Sequence, residues 1–289
     1  MGNLLCVMSH CYSRGEELLI GSRQHVYLYE QGHFMRLGGI GAQVFPNEPD
    51  GTIKLKDISE SIHDASNFHS SETKLICLEN THMNCGGIPL KNDYLDKVCD
   101  IAFENNIKVH IDGARLFNAA VATNQSLESA LSRADSVSMC LSKGLGCPIG
   151  SVIGGSEETI HRALRIRKSL GGGIRQGGFL AAAGLYALEH GHVYIQRDHA
   201  NARILAEGIN DLNVSELMKV DLSKVQTNLV FCESEKGRGF EIEEQLKAKG
   251  VLCIAFSKSK LRFVLHHDVS EQAVFHALQK MKEVVSEMS

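Results

Sequence analysis

The chain has 289 residues, of which 43% are hydrophobic, and a formal net charge of −4. This length and apolar content suit one large α/β domain or two unequal ones. The negative charge and the lack of a dense basic cluster argue against a nucleic-acid surface, and no apolar run reaches the length of a membrane span. Nine scattered cysteines without a Cys-x-x-Cys pair argue against a metal site and favour a reducing, cytoplasmic compartment. The first residues lack the basic segment of a signal peptide, so we expect none.

Apolar spacing along the first two thirds of the chain predicts strands that alternate with helices. This alternation favours a mostly parallel sheet with both faces covered. The predicted strands cover residues 18–21, 43–45, 74–78, 107–111, 136–141 and 149–154. The predicted helices cover residues 4–8, 53–63, 93–106, 157–170, 177–189 and 194–210, the first beginning almost at residue 1.

The pattern changes after residue 210. Strands are predicted at 227–232, 251–256 and 260–266, and helices at 239–248 and 270–288, which is typical of a smaller α+β module. We therefore predict a large domain over residues 1–200 and a small C-terminal domain over 201–289, with the helix at 194–210 as the connector.

Three chemically capable side chains lie at or just beyond the ends of predicted strands. They are His82, Asp112 and Lys143. Functional groups of parallel α/β sheets gather at the carboxyl ends of the strands. The coincidence of the three at such ends is stronger evidence for a site than any one of them.

Lys143 follows a buried strand and is surrounded by small or apolar residues, among them Gly144, Gly146 and Pro148. Partial desolvation of an amine favours its neutral, nucleophilic form, which is how a Schiff-base lysine is prepared for a carbonyl or for pyridoxal 5'-phosphate (PLP). The alternative is a strand-end lysine that extends to solvent beside a glycine turn. A dinucleotide-binding loop is disfavoured because a second strand, not a helix, follows the glycines.

Asp112 ends the apolar strand at 107–111. A buried carboxylate there needs a cation or several donors, and a protonated pyridine nitrogen would be such a partner. Arg115 is close enough along the chain to reach the same ring. The alternative is an Asp112–Arg115 pair that caps the following helix.

Two of the fourteen histidines stand out. His25 lies among apolar and aromatic residues and could stack on a flat ring, whereas His82 follows a strand and could act as a base near neutral pH. The alternative for each is a hydrogen-bonded structural histidine.

Further cationic residues could bind anionic groups. The glycine run 171–173, flanked by Lys168 and Arg175, is predicted to open a helix and could host an anion, although a hinge would have the same composition. Arg262 lies inside an apolar strand, where its guanidinium could bind a carboxylate bidentately. An edge-strand charge that faces water is the alternative for Arg262.

The order of these segments resembles the threonine aldolases, which are PLP-dependent lyases of the fold-type-I class. The matching segments are ENTH (79–82), HIDGAR (110–115), LSKGLG (141–146), GGGIRQ (171–176) and LRFVLHH (261–267). The resemblance spans essentially the whole chain. It implies a PLP-binding large domain with a mostly parallel sheet, a smaller α+β C-terminal domain, and cleavage of L-threonine or L-allo-threonine to glycine and an aldehyde.

The resemblance also implies roles at the cofactor. Lys143 would form the Schiff base with PLP, and Asp112 would pair with the pyridinium nitrogen. Arg115 would contact the cofactor nearby, and His25 would stack on its ring.

At the substrate, the resemblance implies that His82 stands near the β-hydroxyl group as a base or proton relay. Arg262 would bind the carboxylate of the amino-acid substrate. Lys168 and Arg175 would lie near the phosphate or the substrate. The family typically forms homo-oligomers, tetramers built from dimers with shared active sites.

One departure concerns the start of the sequence. Met1-Gly2-Asn3 matches the end of a Ser-Gly-Thr-Met-Gly-Asn turn whose first residues help to bind the cofactor phosphate in the family. The sequence lacks the rest of that turn and the segment before it, which predicts weaker PLP binding. Two alternatives to an active aldolase therefore stay open: a catalytically impaired homologue that acts as a non-catalytic subunit, and a related PLP lyase that breaks a Cβ–heteroatom bond.

Overall fold

The polypeptide forms two units, Met1–Glu189 and His190–Ser289, in a computed structural model that describes residues 1–131 and 133–288. The division between the units falls inside one long helix, Gly178–Asp211, which also contains the predicted domain boundary at residue 200. Within the described residues, no helix is both long enough and apolar enough to cross a membrane.

A six-stranded sheet forms the centre of the first unit. Its order is β2-β1-β3-β4-β5-β6, and every neighbouring pair is parallel except β5 and β6. The mostly parallel sheet predicted from the sequence is thereby confirmed. The strands are β1 (Glu16–Gly21), β2 (Gly41–Phe45), β3 (Glu72–Glu79), β4 (Lys108–Asp112), β5 (Ser136–Cys140) and β6 (Ser151–Gly155).

Helices connect these strands. They are α1 (Gly2–His10), α2 (His25–Leu28), α3 (His33–Gly38), α4 (Leu55–Glu60), α5 (Asn92–Glu104), α6 (Leu116–Thr123), α7 (Leu127–Leu131), α8 (Glu157–Ser169) and the start of α9 (Gly178–Asp211), with a 3₁₀ turn at Met83–Cys85. The sequence did not predict α2, α3, α6 or α7. These helices have four to eight residues, too few to display a clear helical period of apolar residues.

Side chains of the inner strands alternate between two hydrophobic clusters, one on each face of the sheet. On β3, Ile76 and Leu78 pack in a cluster with Leu95 of α5, whereas Leu75 and Cys77 pack in another with residues of α1. Successive strand residues point to opposite faces, so burial of both faces requires a continuous apolar strand such as KLICL. The helices on both sides hold the carboxyl ends of β3, β4 and β5 in place.

The second unit contains a four-stranded antiparallel sheet of order β7-β8-β10-β9. Its core packs residues of the end of α9 with residues of the sheet and of two further helices. The predicted α+β module is confirmed. Its elements are β7 (Lys219–Val220), a 3₁₀ turn (Leu222–Lys224), β8 (Leu229–Glu233), α10 (Gly239–Ala248), β9 (Ile254–Ser257), β10 (Lys260–Val264) and α11 (Glu271–Met288).

Two details of the sequence prediction were wrong. The helices predicted at 177–189 and 194–210 are one helix of 34 residues, α9. A glycine inside a helix, here Gly191, costs only about 1 kcal/mol relative to alanine and does not end the helix by itself. The edge-strand alternative for Arg262 is also wrong, because β10 pairs with β8 on one side and β9 on the other.

The packing of α5 predicts a large difference between two truncations on the same helix. Leu95 is 1% exposed and Phe103 is 80% exposed. We expect Leu95→Ala to lower the free energy of unfolding by about 2–5 kcal/mol because it leaves a cavity, and Phe103→Ala to change it by less than about 0.5 kcal/mol. Equilibrium urea unfolding of both variants measures this, and equal effects would contradict the packing described.

Candidate active site

The carboxyl ends of three adjacent strands bring the predicted residues together. Glu79 ends β3 and lies opposite Asp112, which ends β4 and lies opposite Ser138 of β5. Lys143 follows β5 by three residues. The positive charge of Lys143 acts to lower the pKa of Asp112, although other effects raise that pKa overall, so the two side chains share one electrostatic environment at this edge.

Asp112 is buried with half of its carboxylate unsatisfied. Its Oδ1 accepts a hydrogen bond from the Ala114 N–H (3.1 Å), whereas Oδ2 has no hydrogen-bond partner within residues 1–131 and 133–288. Burial raises the pKa of Asp112, and the negative charge of Glu30 raises it further. An unsatisfied buried carboxylate oxygen costs free energy. The N–H of a protonated pyridine ring would satisfy it, so Asp112 fits PLP.

Glu79 is a second buried carboxylate at the same edge, and the sequence analysis gave it no role. Its Oε2 accepts from the His25 N–H (2.6 Å) and its Oε1 from the Met83 N–H (2.9 Å). Burial raises the pKa of Glu79 to about 8, with a contribution from Asp112. Its position at the end of KLICLE was the signal that could have identified it.

Glu30 is the third member of this acidic cluster. Its Oε1 accepts from Asn3 Nδ2 (2.8 Å) and from His25 Nδ1 (2.9 Å), and its Oε2 contacts His33 Nε2. Burial alone would raise the pKa of Glu30, but these hydrogen bonds hold it well below its usual range. The sequence analysis missed Glu30, since it lies between two short helices rather than at a strand end.

His25 connects Glu30 to the rest of the site. The hydrogen bond that His25 donates to Glu30 raises the pKa of His25. Ligand-type atoms of His25, Glu30 and Asp112 all lie within 4.8 Å of one another. The structure therefore brings His25 and Asp112 together, as the resemblance implied.

Lys143 is half-buried in a glycine loop closed by backbone hydrogen bonds. The Leu141 N–H donates to the carbonyl of Gly150 (3.0 Å), and the Gly146 N–H to that of Lys143 (2.9 Å). A Cβ atom on Gly144 would lie 2.7 Å from Asn118 Oδ1, and Gly150 has a φ of +117°. Larger residues at these two positions would displace the loop that holds the lysine.

Arg115 is half-buried directly before α6. Its charge acts to lower the pKa of Cys140, which burial raises overall, and Lys143 and Asp112 act on the same thiol. Arg115 thus belongs to the same charged environment.

His82 is fully buried, and neither of its ring nitrogens has a hydrogen-bond partner in the part of the chain that the structure describes. Burial lowers the pKa of His82 to about 4, and the charge of Arg23 lowers it further. Gly51 has a φ of +91°, and a Cβ atom there would lie 2.6 Å from His82 Cβ. His82 is therefore a neutral imidazole whose ring lacks the hydrogen bonds of a structural histidine.

The glycine run at 171–173 closes α8 rather than opening a helix. Gly171 has a φ of +78°, and the N–H groups of Gly171 and Gly172 bond to carbonyls of the last turn of α8. This is the left-handed helix ending for which glycine is favoured. The predicted helix starts later, at Gly178.

The same run lies beside the start of α1. A Cβ atom on Gly172 would lie 2.5 Å from Met1 Sδ, and one on Gly173 would lie 4.0 Å from Lys168 Nζ. A Cβ atom on Gly2 would overlap Ser138 Oγ on β5. Lys168 and Met1, the residue before α1, therefore both lie next to this glycine run.

Two predicted residues remain. Arg175 is exposed. Arg262 belongs to the second unit, where its guanidinium carbon lies 4.8 Å from the centre of the Phe256 ring.

Comparison with known proteins identifies the family. The beta-eliminating lyase family model matches residues 1–235. The chain is 42% identical over 293 residues to low-specificity L-threonine aldolase 1 of Arabidopsis thaliana, covering 100% of this chain and 81% of that one. The chain belongs to the threonine aldolase family of beta-eliminating lyases. It is also 39% identical over 270 residues to the low specificity L-threonine aldolase of Escherichia coli (strain K12), covering 93% of this chain and 77% of that one.

Solved structures agree on the fold. A putative aromatic amino acid beta-eliminating lyase/threonine aldolase from Exiguobacterium sp. 255-15 matches with a TM-score of 0.78 at 17% identity, covering 98% of this chain and 79% of that one. A putative L-allo-threonine aldolase from Listeria monocytogenes matches with a TM-score of 0.76 at 18% identity, with the same coverage. The predicted fold class is confirmed. Family membership also confirms that this is an enzyme, a lyase, with PLP as its cofactor.

The burial of His82 predicts how stability depends on pH. Its pKa in the folded chain, about 4, lies below the ordinary value of 6.5. The native state therefore binds fewer protons than the unfolded state between these values, and stability falls as the pH falls from 6.5 to 4. The free energy of unfolding should therefore decrease less in His82→Asn than in the wild type over this pH range, by up to about 3 kcal/mol.

Urea unfolding at several pH values tests this expectation. The exposed His161 of α8 provides the control, because His161→Asn should leave the wild-type pH dependence intact. Parallel pH curves for His82→Asn and the wild type would contradict the assignment of a buried neutral imidazole.

Proposed function

We propose that this chain cleaves the Cα–Cβ bond of L-threonine, L-allo-threonine and similar β-hydroxy amino acids to give glycine and an aldehyde. The observation that carries the proposal is the unsatisfied, buried oxygen of Asp112 in the electrostatic environment of Lys143. Identity of 42% to a low-specificity L-threonine aldolase supports the choice of substrate.

The first unit has residues that suit each part of PLP. Lys143 would hold the aldehyde carbon of the cofactor, Asp112 the ring nitrogen, and His25 the face of the ring, with Arg115 beside it. When bound, PLP supplies an electron sink for the electron pair released by the broken bond. By keeping a negative charge at the ring nitrogen, Asp112 favours the protonated ring and so strengthens that sink. We propose residues 1–200 as the cofactor-binding domain and 201–289 as the small domain.

The substrate needs one charged anchor and one base. Arg262 would bind the carboxylate through its planar guanidinium fork, which holds the amino acid in a fixed orientation. The β-hydroxyl group must lose its proton as it becomes the carbonyl of the aldehyde. His82 would accept this proton because burial keeps its imidazole neutral near pH 7. Lys168 and Arg175 are proposed near the phosphate or the substrate.

We further propose a cytoplasmic homo-oligomer, a dimer or a tetramer with shared active sites, that serves threonine catabolism and glycine biosynthesis. Helix α9 exposes large apolar side chains, including Phe179 (75%), Leu185 (69%) and Tyr186 (58%). Such exposure supports a contact between protein chains. The nine free cysteines support a reducing compartment.

A second candidate function is breakage of a Cβ–heteroatom bond, which the name of the beta-eliminating lyase family favours. Turnover of O- or S-substituted serines without turnover of β-hydroxy amino acids would establish it. A non-catalytic subunit would instead stay colourless when PLP is added to the purified chain.

The role of Lys143 predicts the outcome of a single truncation. Lys143→Ala should lower threonine cleavage at least about a thousandfold and remove the visible absorption of the covalently held cofactor. The exposed Lys97 of α5 gives the control, since Lys97→Ala should retain both. Cleavage at the wild-type rate in the Lys143→Ala variant would refute the assignment.

The role of Arg262 predicts a change in substrate affinity. Arg262→Leu should raise KM for L-threonine roughly 10–100-fold, because hydrogen bonds to a charged group contribute about 1.5–3 kcal/mol. Arg262→Lys retains the positive charge but lacks the planar guanidinium group, so its KM should lie between those of the wild type and Arg262→Leu. Steady-state kinetics measures KM in each variant. An unchanged KM in Arg262→Leu, with the absorption of the bound cofactor retained, would contradict this role.

A further inference from the structure

Buried polar side chains form a continuous path to Glu30 from His10, at the end of α1. His10 Nε2 lies 2.8 Å from Ser136 Oγ, and Ser136 Oγ lies 2.9 Å from His110 Nδ1. His110 Nε2 lies 3.2 Å from Asn3 Oδ1, and Asn3 Nδ2 lies 2.8 Å from Glu30 Oε1. We name these five residues the donor chain. No exposed fraction among its first four members exceeds 8%.

The direction of each hydrogen bond can be worked out from the Glu30 end. Hydrogen bonds hold the pKa of Glu30 well below its usual range despite its burial, so Glu30 is ionised and can only accept. Asn3 must therefore turn its Nδ2 towards Glu30 and its Oδ1 towards His110. An amide oxygen also only accepts, so His110 carries a proton on Nε2.

The same reasoning orders the other end. Burial lowers the pKa of His110 to about 3, so its ring has a single proton and Nδ1 accepts from the Ser136 hydroxyl. The Ser136 oxygen in turn accepts from His10 Nε2, and burial lowers the pKa of His10 to about 4. Cys6 also lies beside Ser136, but its thiol is directed at the carbonyl of Val137 (3.9 Å). Every donor in the path therefore points towards Glu30.

This arrangement suits orientation rather than proton transfer. The amide of Asn3 donates on one side and accepts on the other, and it does not pass a proton between its two atoms. Aligned hydrogen bonds polarise and strengthen one another in a low-dielectric interior. Their common end point is the oxygen of Glu30 that also bonds to His25 Nδ1.

We propose that the donor chain fixes the Glu30 carboxylate in the orientation in which it holds the ring of His25, so that Asn3, Ser136, His110 and His10 are positioning residues for the cofactor site. The proposal rests on the proposed function in one respect, the contact of His25 with the cofactor ring. The charged groups that face His25 are Glu30, Asp112 and Lys143. The donor chain acts on the first of these.

Two truncations and a matched control test the proposal. Ser136→Ala and Asn3→Ala interrupt the donor chain at different points. Ser9→Ala removes a hydroxyl of similar burial on α1, which in the part of the chain that the structure describes bonds to the Leu5 carbonyl (2.7 Å). The readout is the nitrogen-bound proton of His25 Nδ1, observed by NMR in the holoenzyme without substrate after labelling the histidines with ¹⁵N. His25→Asn assigns the signal.

We expect this proton to exchange with water about tenfold faster, or its signal to disappear, in Ser136→Ala and Asn3→Ala. Ser9→Ala should keep the wild-type exchange rate. For threonine cleavage, the two truncations should lower kcat about tenfold and leave KM within about twofold, because the substrate anchor is unaltered.

Wild-type exchange of this proton in both folded truncations would overturn the proposal. If Ser136→Ala does not fold, Asn3→Ala decides, and Ser136→Thr, which keeps the hydroxyl, must retain the wild-type signal. A wild-type enzyme that shows the protected proton, loses it in the truncations and yet does not cleave threonine would refute the proposed function while supporting the donor chain.

Discussion

The site depends on the burial of three carboxylates at one edge of a parallel sheet. Glu79 is satisfied by two backbone N–H groups, and Glu30 by an asparagine and two histidines. Within residues 1–131 and 133–288, the Asp112 carboxylate accepts only from the Ala114 N–H and retains one unsatisfied oxygen. Hydrogen bonds from the protein thus reach both oxygens of two of these acids and only one oxygen of the third among the described residues. A cationic ring meets both needs of Asp112, a hydrogen-bond donor and a positive charge.

The fold creates this cluster through chain order and strand register. Parallel strands bring Glu79 and Asp112 next to each other because each ends its own strand, and β5 leads into the glycine loop that carries Lys143. Two hydrophobic faces, each covered by helices, fix the strands beneath the edge. The polar site therefore rests on rigid elements, whereas the lysine loop uses the conformational freedom of glycine at Gly150.

Sequence reasoning located the residues whose positions follow from local pattern. Asp112 and Lys143 could be found because a polar residue that follows an apolar strand can be recognised from the sequence alone. Glu30 could not be found in this way, since it does not follow a strand and its partner Asn3 lies 27 residues away in the sequence. The role of the glycine run 171–173 could not be predicted either, because the same composition can end one helix or begin the next. The positive φ of Gly171 shows that the run ends α8.

The pairing of β1 with β3 contains an irregularity between Glu17 and Leu18, where the register shifts by one residue. On β3, Leu75 and Cys77 pack with residues of α1, whereas Ile76 and Leu78 pack with residues of α5. A deletion of one residue within this strand would turn its side chains over and carry the terminal carboxylate away from Asp112. The loop before β3 is exposed at residues 64–69 and is under no such constraint. Insertions and deletions among relatives should therefore occur in that loop and not in the strand. The length of β3 thus fixes where Glu79 lies relative to Asp112.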